Sequence, residues 1–299
     1  MLWIPITLAA AALQTARNAF QRSLTGALSP LGATYTRFLF GFPFAALYAA
    51  FVLALSDAPL PELPAAFLGW VALGGVAQIL GTACLLLLFQ LRNFGTGIAF
   101  SKSEILQVAL FGMLALGDRV STLAALAIGV ATLGLLLLAR GPAGLSVGAS
   151  LVGRPMWLGL GTGGAFAIAA VSFRAASLSL HEASFVAAAA LTLAATTCLQ
   201  SLLMTLYLRV REPGQIGTVV RAWRLSLLPG LSGAAASACW FSAMTLESAA
   251  YVRMLGLVEV LFGFGVSVVS LRERPSGREL LGTALLVVAI LALLWERAG

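Results

Sequence analysis

The chain has 299 residues, of which 60% are hydrophobic and 10% charged, with a mean hydropathy of +0.99 and a formal charge of +7. A soluble domain carries about 25% charge, so this composition excludes a soluble globular protein and points to lipid. The positive balance does not indicate nucleic acid, because no basic stripe with interleaved aromatic residues occurs.

A spanning helix needs about 20 mostly apolar residues. In chain order such runs lie at 3–21, 33–55, 66–91, 95–117, 122–139, 156–179, 183–208, 226–247, 249–271 and 276–295. The runs are long and continuous, whereas a membrane strand alternates over about ten residues, so helices are expected. No basic residue precedes Trp3, which makes the first run a retained helix rather than a cleaved signal. The connections are short and marked by breakers such as Arg140-Gly141-Pro142 and Arg211-Glu212-Pro213-Gly214. None could house a soluble domain. Cys84, Cys198 and Cys239 fall inside apolar runs and read as small packing residues, with no disulfide or metal site.

Residues 71–121 can be laid on residues 226–276 without a gap, at a constant offset of 155. Gly75 then meets Gly230, Ala83-Cys84 meets Ala238-Cys239, Glu104 meets Glu259, and Asp118-Arg119 meets Glu273-Arg274. Each half, 1–145 and 146–299, is long enough for five of the predicted helices. An odd number per half turns the second copy upside down, and inverted repeats are characteristic of secondary transporters. The expected fold is therefore an all-α polytopic membrane protein, with ten transmembrane helices in two inverted five-helix repeats.

Arginine placement orients the chain. Connections on the side opposite the N-terminus hold Arg22, Arg92, Arg140, Arg154, Arg209, Arg211, Arg221, Arg224, Arg272, Arg274 and Arg278; the N-terminal side holds Arg119 and Arg297. Basic loops stay in the cytoplasm, so both termini are expected outside, with the basic side in contact with anionic lipid. Trp3, Trp70, Trp157, Trp223 and Trp295 fall at predicted helix ends, where indole rings favour the headgroup zone. Trp240 is mid-helix and reads either as packing or as the lining of a substrate cavity.

Charged side chains inside the runs need a partner, a wet cavity or an escape to the interface. Arg17, Arg37 and Arg174 sit near run ends and are assigned to snorkelling. Lys102 and Glu104, about 10 and 13 Å into the fourth run at about 1.5 Å per residue, lie too deep for that. They diverge by about 200° around the helix and cannot pair with each other. Arg253 and Glu259 occupy the ninth run. Glu104 and Glu259 are equivalent in the repeat, so they are expected near a pseudo-two-fold axis, where burial could let them carry protons. The alternative is neutralisation by a structural partner such as Lys102 or Arg253. Gln14, Asn18, Gln78 and Gln107 read as a polar lining or as interhelical hydrogen bonds, and Gly74, Gly75, Gly81, Gly230 and Gly233 as tight helix crossings.

Leu116-Gly117-Asp118-Arg119-Val120-Ser121 closes the fourth run, and Leu271-Arg272-Glu273-Arg274-Pro275-Ser276 closes the ninth. Each precedes a last helix containing a glycine, Gly129 or Gly282. This pattern resembles the duplicated Leu-Gly-Glu-x-x-Ser/Thr signature of EamA-type proteins in the drug/metabolite transporter superfamily, in particular the YddG-like exporters of aromatic and other amino acids. Asp118 and Arg272 depart from the signature, as do Ile105 and Val260, where many members carry proline. The resemblance implies a basket of ten helices in which the first, third, fourth, sixth, eighth and ninth enclose a central cavity and the fifth and tenth pack together at the periphery. It also makes Lys102 and Arg253 candidates for a substrate carboxylate.

The expected function is a secondary exporter of small amphipathic metabolites, foremost amino acids, working by alternating access in the bacterial inner membrane. The substrate-binding set comprises Lys102, Glu104, Arg253, Glu259, Trp240, Gln78, Gln14 and Asn18. No phosphate-binding Gly-x-x-x-x-Gly-Lys-Ser/Thr loop occurs, so energy would come from gradients, with protons as a candidate coupling ion. No catalytic residue, metal or cofactor is expected, and a monomer is. Nucleosides and quaternary ammonium compounds are alternative cargoes, and a channel is an alternative class. Gly230-Leu231-Ser232-Gly233 also spells the motif of intramembrane serine proteases, but His181, the one histidine, is predicted near the opposite face.

Overall fold

The computed structural model describes residues 1–22, 28–56, 61–89, 100–139, 153–269 and 276–298. Among them the regular elements are all α-helices: α1 Trp3–Arg22, α2 Pro30–Leu55, α3 Ala65–Phe89, α4 Glu104–Leu116, α5 Thr122–Ala139, α6 Arg154–Leu178, α7 Phe185–Arg211, α8 Gln215–Arg221, α9 Trp223–Leu246, α10 Ala249–Leu255, α11 Val258–Val269 and α12 Gly277–Ala298. Six of these are long and apolar enough to cross a membrane: α2, α3, α6, α7, α9 and α12. That set fits a multi-pass membrane protein. α1 is not among them, since its second half carries Gln14, Arg17, Asn18, Gln21 and Arg22.

Every predicted run contains helix, with three differences. α2 starts three residues early, because the Ser29 hydroxyl accepts the Gly32 N–H at 3.0 Å and Pro30 has no N–H to satisfy in the first turn. A short helix, α8, occupies the basic connection after α7. The fourth and ninth runs are each interrupted, the fourth at Lys102-Ser103 and the ninth at Gly256-Leu257. Both breaks use tight i to i+3 bonding: the Ser103 N–H donates to Phe100 O at 3.1 Å, and those of Leu257 and Glu259 donate to Met254 O and Gly256 O at 3.1 and 3.0 Å. Hydropathy does not register such a break, because the residues on either side remain apolar.

The chain forms two compact units, Met1–Val76 with Ser172–Glu247 and Ala77–Val171 with Ser248–Gly299, each taking stretches from both halves of the sequence. In the first, α1 lies along α9, and α2 packs on α7 and α9. Backbones approach closely at Gly230, where a Cβ would come within 2.8 Å of the Phe40 carbonyl carbon. Gln200 Nε2 donates to the carbonyl of Gly75 at 3.3 Å. Arg174, assigned above to snorkelling, instead donates from Nη1 to the carbonyls of Met244 and Glu247. A cation on the last carbonyls of a helix satisfies orphan acceptors and opposes the helix dipole, so Arg174 caps α9.

In the second unit α5 packs along α12, the pairing implied for the fifth and tenth helices, and α4 packs on α10. The signature residues punctuate this unit. Gly117 takes φ 67°, a left-handed conformation that suits glycine, and the Asp118 N–H reaches back to Gly112 O at 3.2 Å to close α4. The Ser121 hydroxyl accepts from the Ala124 N–H at 2.9 Å at the start of α5. Ser276 and Glu279 form the reciprocal capping box of α12. Leu271 to Pro275 lie outside the described residues. The three cysteines are half-buried thiols.

The crossing of α5 and α12 depends on two glycines: a Cβ on either Gly134 or Gly282 would sit 2.8 Å from the other's carbonyl oxygen. Gly282→Leu is therefore expected to destabilise the protein by about 1–3 kcal/mol, the usual cost of overpacking. Gly129→Ala, where a Cβ meets nothing within 4 Å, is expected to change stability by less than about 0.5 kcal/mol. Thermal unfolding of the two variants in detergent makes the comparison; equal stability would show that the crossing tolerates side chains.

Candidate functional site

The charged residues singled out in the fourth and ninth runs meet in the second unit. Glu104 is the first residue of α4, directly after the break, and its carboxylate lies in the first turn, where a helix favours negative charge. From α10, Arg253 donates to Glu104 Oε1 through Nε at 2.8 Å and through Nη2. The side chains are 23% and 14% exposed, so water screens the pair only partly. Arg253, one of the two partners considered for Glu104 above, is thus the one that the structure places against it. A substrate carboxylate aimed at Arg253 must therefore compete with Glu104.

α6 braces the break. A Cβ on Gly163 would fall 2.8 Å from Ser101 O and 3.0 Å from the Glu104 amide nitrogen, so only a glycine lets α6 come this near. Gln107 Nε2 donates to the Ser103 hydroxyl at 2.8 Å and to Leu160 O at 3.4 Å, and Ser103 in turn donates to Phe100 O at 2.6 Å. These bonds occupy polar groups at the interruption. The glycines at 159, 161, 163 and 164 were the available signal for this close approach, and the sequence reading passed over them.

Glu259 is the second residue of α11, just after the matching break, and is half-buried. Lys102 lies in the turn before Glu104, also half-buried. Gln78 is half-buried on α3. A further polar cluster went unforeseen: the Tyr251 hydroxyl of α10 donates to Glu296 Oε1 of α12 at 3.1 Å, and the Arg297 guanidinium stacks 4.2 Å over the Tyr251 ring.

The other predicted site residues belong to the first unit. Trp240 is only 6% exposed, and its indole N–H donates to Gln14 Oε1 at 3.3 Å, tying α9 to α1. The ring is thus buried and its polar edge satisfied. The backbone of Asn18 is helical, but its side chain lies outside the described residues. Ser232 turns its hydroxyl back to Leu228 O of its own helix at 2.6 Å, while His181 is exposed in the connection between α6 and α7.

No family model and no curated protein matches the chain. Among solved structures, one described only as the crystal structure of a protein is similar over 98% of this chain and 98% of its own, with a TM-score of 0.73 and 18% identity. At that identity the likeness concerns the fold alone.

Removing one partner of the Glu104–Arg253 pair takes charge-assisted hydrogen bonds from a partly buried charge. Glu104→Gln and Arg253→Gln are each expected to cost about 1.5–3 kcal/mol, and the double substitution less than their sum. Additive losses in a double-mutant cycle of unfolding free energies would mean that the two groups contribute independently.

Proposed function

We propose that the protein is a secondary carrier of the EamA type within the drug/metabolite transporter superfamily, exporting small amphipathic metabolites, foremost aromatic and other amino acids. The observation that carries this reading is the pair of broken helices. The interruptions at Lys102-Ser103 and Gly256-Leu257 fall at matching places in the sequence repeat, to within a residue, and a glutamate opens the first turn after each: Glu104 is the first residue of α4 and Glu259 the second of α11. Interrupted helices with polar groups at the break are how many carriers build a site in the middle of a membrane.

Ten transmembrane helices in two inverted repeats, both termini outside and a bacterial inner-membrane location follow from the same reading, supported by the offset of 155 and by the arginine distribution. In this mechanism Glu104 holds Arg253 while the carrier is empty. Protonation of Glu104, or a substrate carboxylate competing for Arg253, releases the tie between α4 and α10. Because the Glu104–Arg253 pair is one of the contacts between these two packed helices, its release on loading would couple binding to conformational change.

Reconstituted protein is expected to show saturable uptake and counterflow of L-tryptophan or L-phenylalanine. Glu104→Gln should lower exchange at least about tenfold, equivalent to about 1.4 kcal/mol on the barrier. A panel of amino acids, nucleosides and quaternary ammonium compounds, with and without a pH gradient, tests the assignment. Flux that rises linearly with concentration would identify a channel, and no flux above protein-free liposomes for any compound would remove the carrier reading.

A further inference from the structure

Residues 209–224, which lead from the end of α7 through α8 into α9, hold four arginines, Arg209, Arg211, Arg221 and Arg224, and a single acid, Glu212. Gly214 turns the chain after α7 at a left-handed φ of 90°, and α8 packs back on α2, α7 and α9 with Val219 as its buried residue. Glu212 is engaged by α2, because its Oε2 accepts the Ser29 hydroxyl at 2.7 Å. All four arginines are exposed, and among the described residues none of them has an acidic partner.

Arg209, Arg211 and Arg221 stand in last helical turns, where the dipole favours a cation. Arg224 stands in the first turn of α9, where the dipole disfavours one, and Arg221 precedes it by only three residues. The Arg224 guanidinium lies 5.4 Å over the exposed Trp223 ring, a contact that holds the cation beside an indole suited to the headgroup zone. The charge that balances this cluster must therefore come from outside the chain. The helix faces that lead away from the arginines are apolar. Leu228 and Leu231 follow Arg224 by four and seven residues and share its side of α9, while Leu202 and Leu206 precede Arg209 by seven and three and share its side of α7. All four leucines are exposed. A basic end above an apolar stripe matches a phospholipid, which carries its phosphate above its acyl chains; a soluble anion would have no use for the stripe.

We infer that Arg221, Trp223 and Arg224, with Arg209 and Arg211 at the end of α7, form a binding surface for an anionic phospholipid such as phosphatidylglycerol. Each guanidinium presents a planar fork of donors that fits a phosphate diester. The arginine count of the sequence implies contact with anionic lipid along a whole side of the protein; here the contact is assigned to one connection, where four cations fall within one short stretch and the one acid faces α2. The surface lies within the first unit and does not depend on what the protein carries.

The test measures binding of fluorescent phosphatidylglycerol to the full chain in detergent, with unlabelled phosphatidylglycerol, phosphatidylcholine and inorganic phosphate as competitors. The wild type is expected to prefer phosphatidylglycerol to phosphatidylcholine by about tenfold or more. Arg221→Gln combined with Arg224→Gln should remove most of that preference, while thermal unfolding in phosphatidylcholine stays as in the wild type. Arg209→Gln combined with Arg211→Gln, on α7, should lower it independently. Arg154→Gln combined with Arg278→Gln removes the same charge from the second unit, where Arg278 stands beside Glu279, and should leave the preference within about twofold of the wild type. A wild type without the preference, or a preference that survives both pairs of substitutions on α7, α8 and α9, would overturn the surface. So would an equal loss from the Arg154 and Arg278 substitutions, which marks a response to net charge alone. Displacement by inorganic phosphate as effective as by phosphatidylglycerol would also overturn it, since the site would then hold an anion without its lipid.

Discussion

Inside a hydrocarbon layer there is no water to satisfy a peptide group, so a helix can be interrupted only where protein supplies the missing hydrogen bonds. The turn at Lys102-Ser103 is held by tight backbone bonds, the Ser103 hydroxyl, the Gln107 amide and the close approach of Gly163 on α6. Because the break is held there, Glu104 starts a new helix with its carboxylate at the favourable end of the dipole. The same interruption in the ninth run separates α10 from α11 and leaves Arg253 on the short segment that packs against α4. The ion pair is thus a consequence of two backbone breaks.

Small residues set the distances at which the rest of each unit packs. Lipid chains are as apolar as leucine, so helices in a membrane associate through close van der Waals contact more than through hydrophobic burial. Gly134 against Gly282, Gly230 against Phe40 and Gly163 against Ser101 bring backbones near enough for that contact. Leucines on the outer faces, such as Leu110 and Leu114 on α4 and Leu133 and Leu136 on α5, are exposed and suit lipid.

The basic side chains divide by what they touch. Arg174 caps a helix, Arg253 binds a carboxylate, Arg297 stacks on an aromatic ring, and Arg17 and Arg37 converge on one glycine. The sequence reading relieved three of them, Arg17, Arg37 and Arg174, at the interface. Each is instead placed by a specific neighbour, and the neighbours come from segments distant in sequence.

The sequence by itself determined that the chain is helical and apolar, where most of the long helices lie to within a few residues, and that Glu104 and Glu259 are counterparts in the repeat. Those properties follow from composition, from the length of apolar runs and from repetition, all of which are local or periodic. It also carried the punctuation between α4 and α5, because Gly117 and Ser121 act on their own backbone. Tertiary structure alone decided that Arg253 rather than Lys102 meets Glu104, that Arg174 ends α9, that Trp240 is buried against Gln14 and that the stems of Arg17 and Arg37 both come to Gly233. A side chain's partner depends on which helix comes alongside and at what depth, and the rotation of one helix against another is set by packing that no single segment encodes.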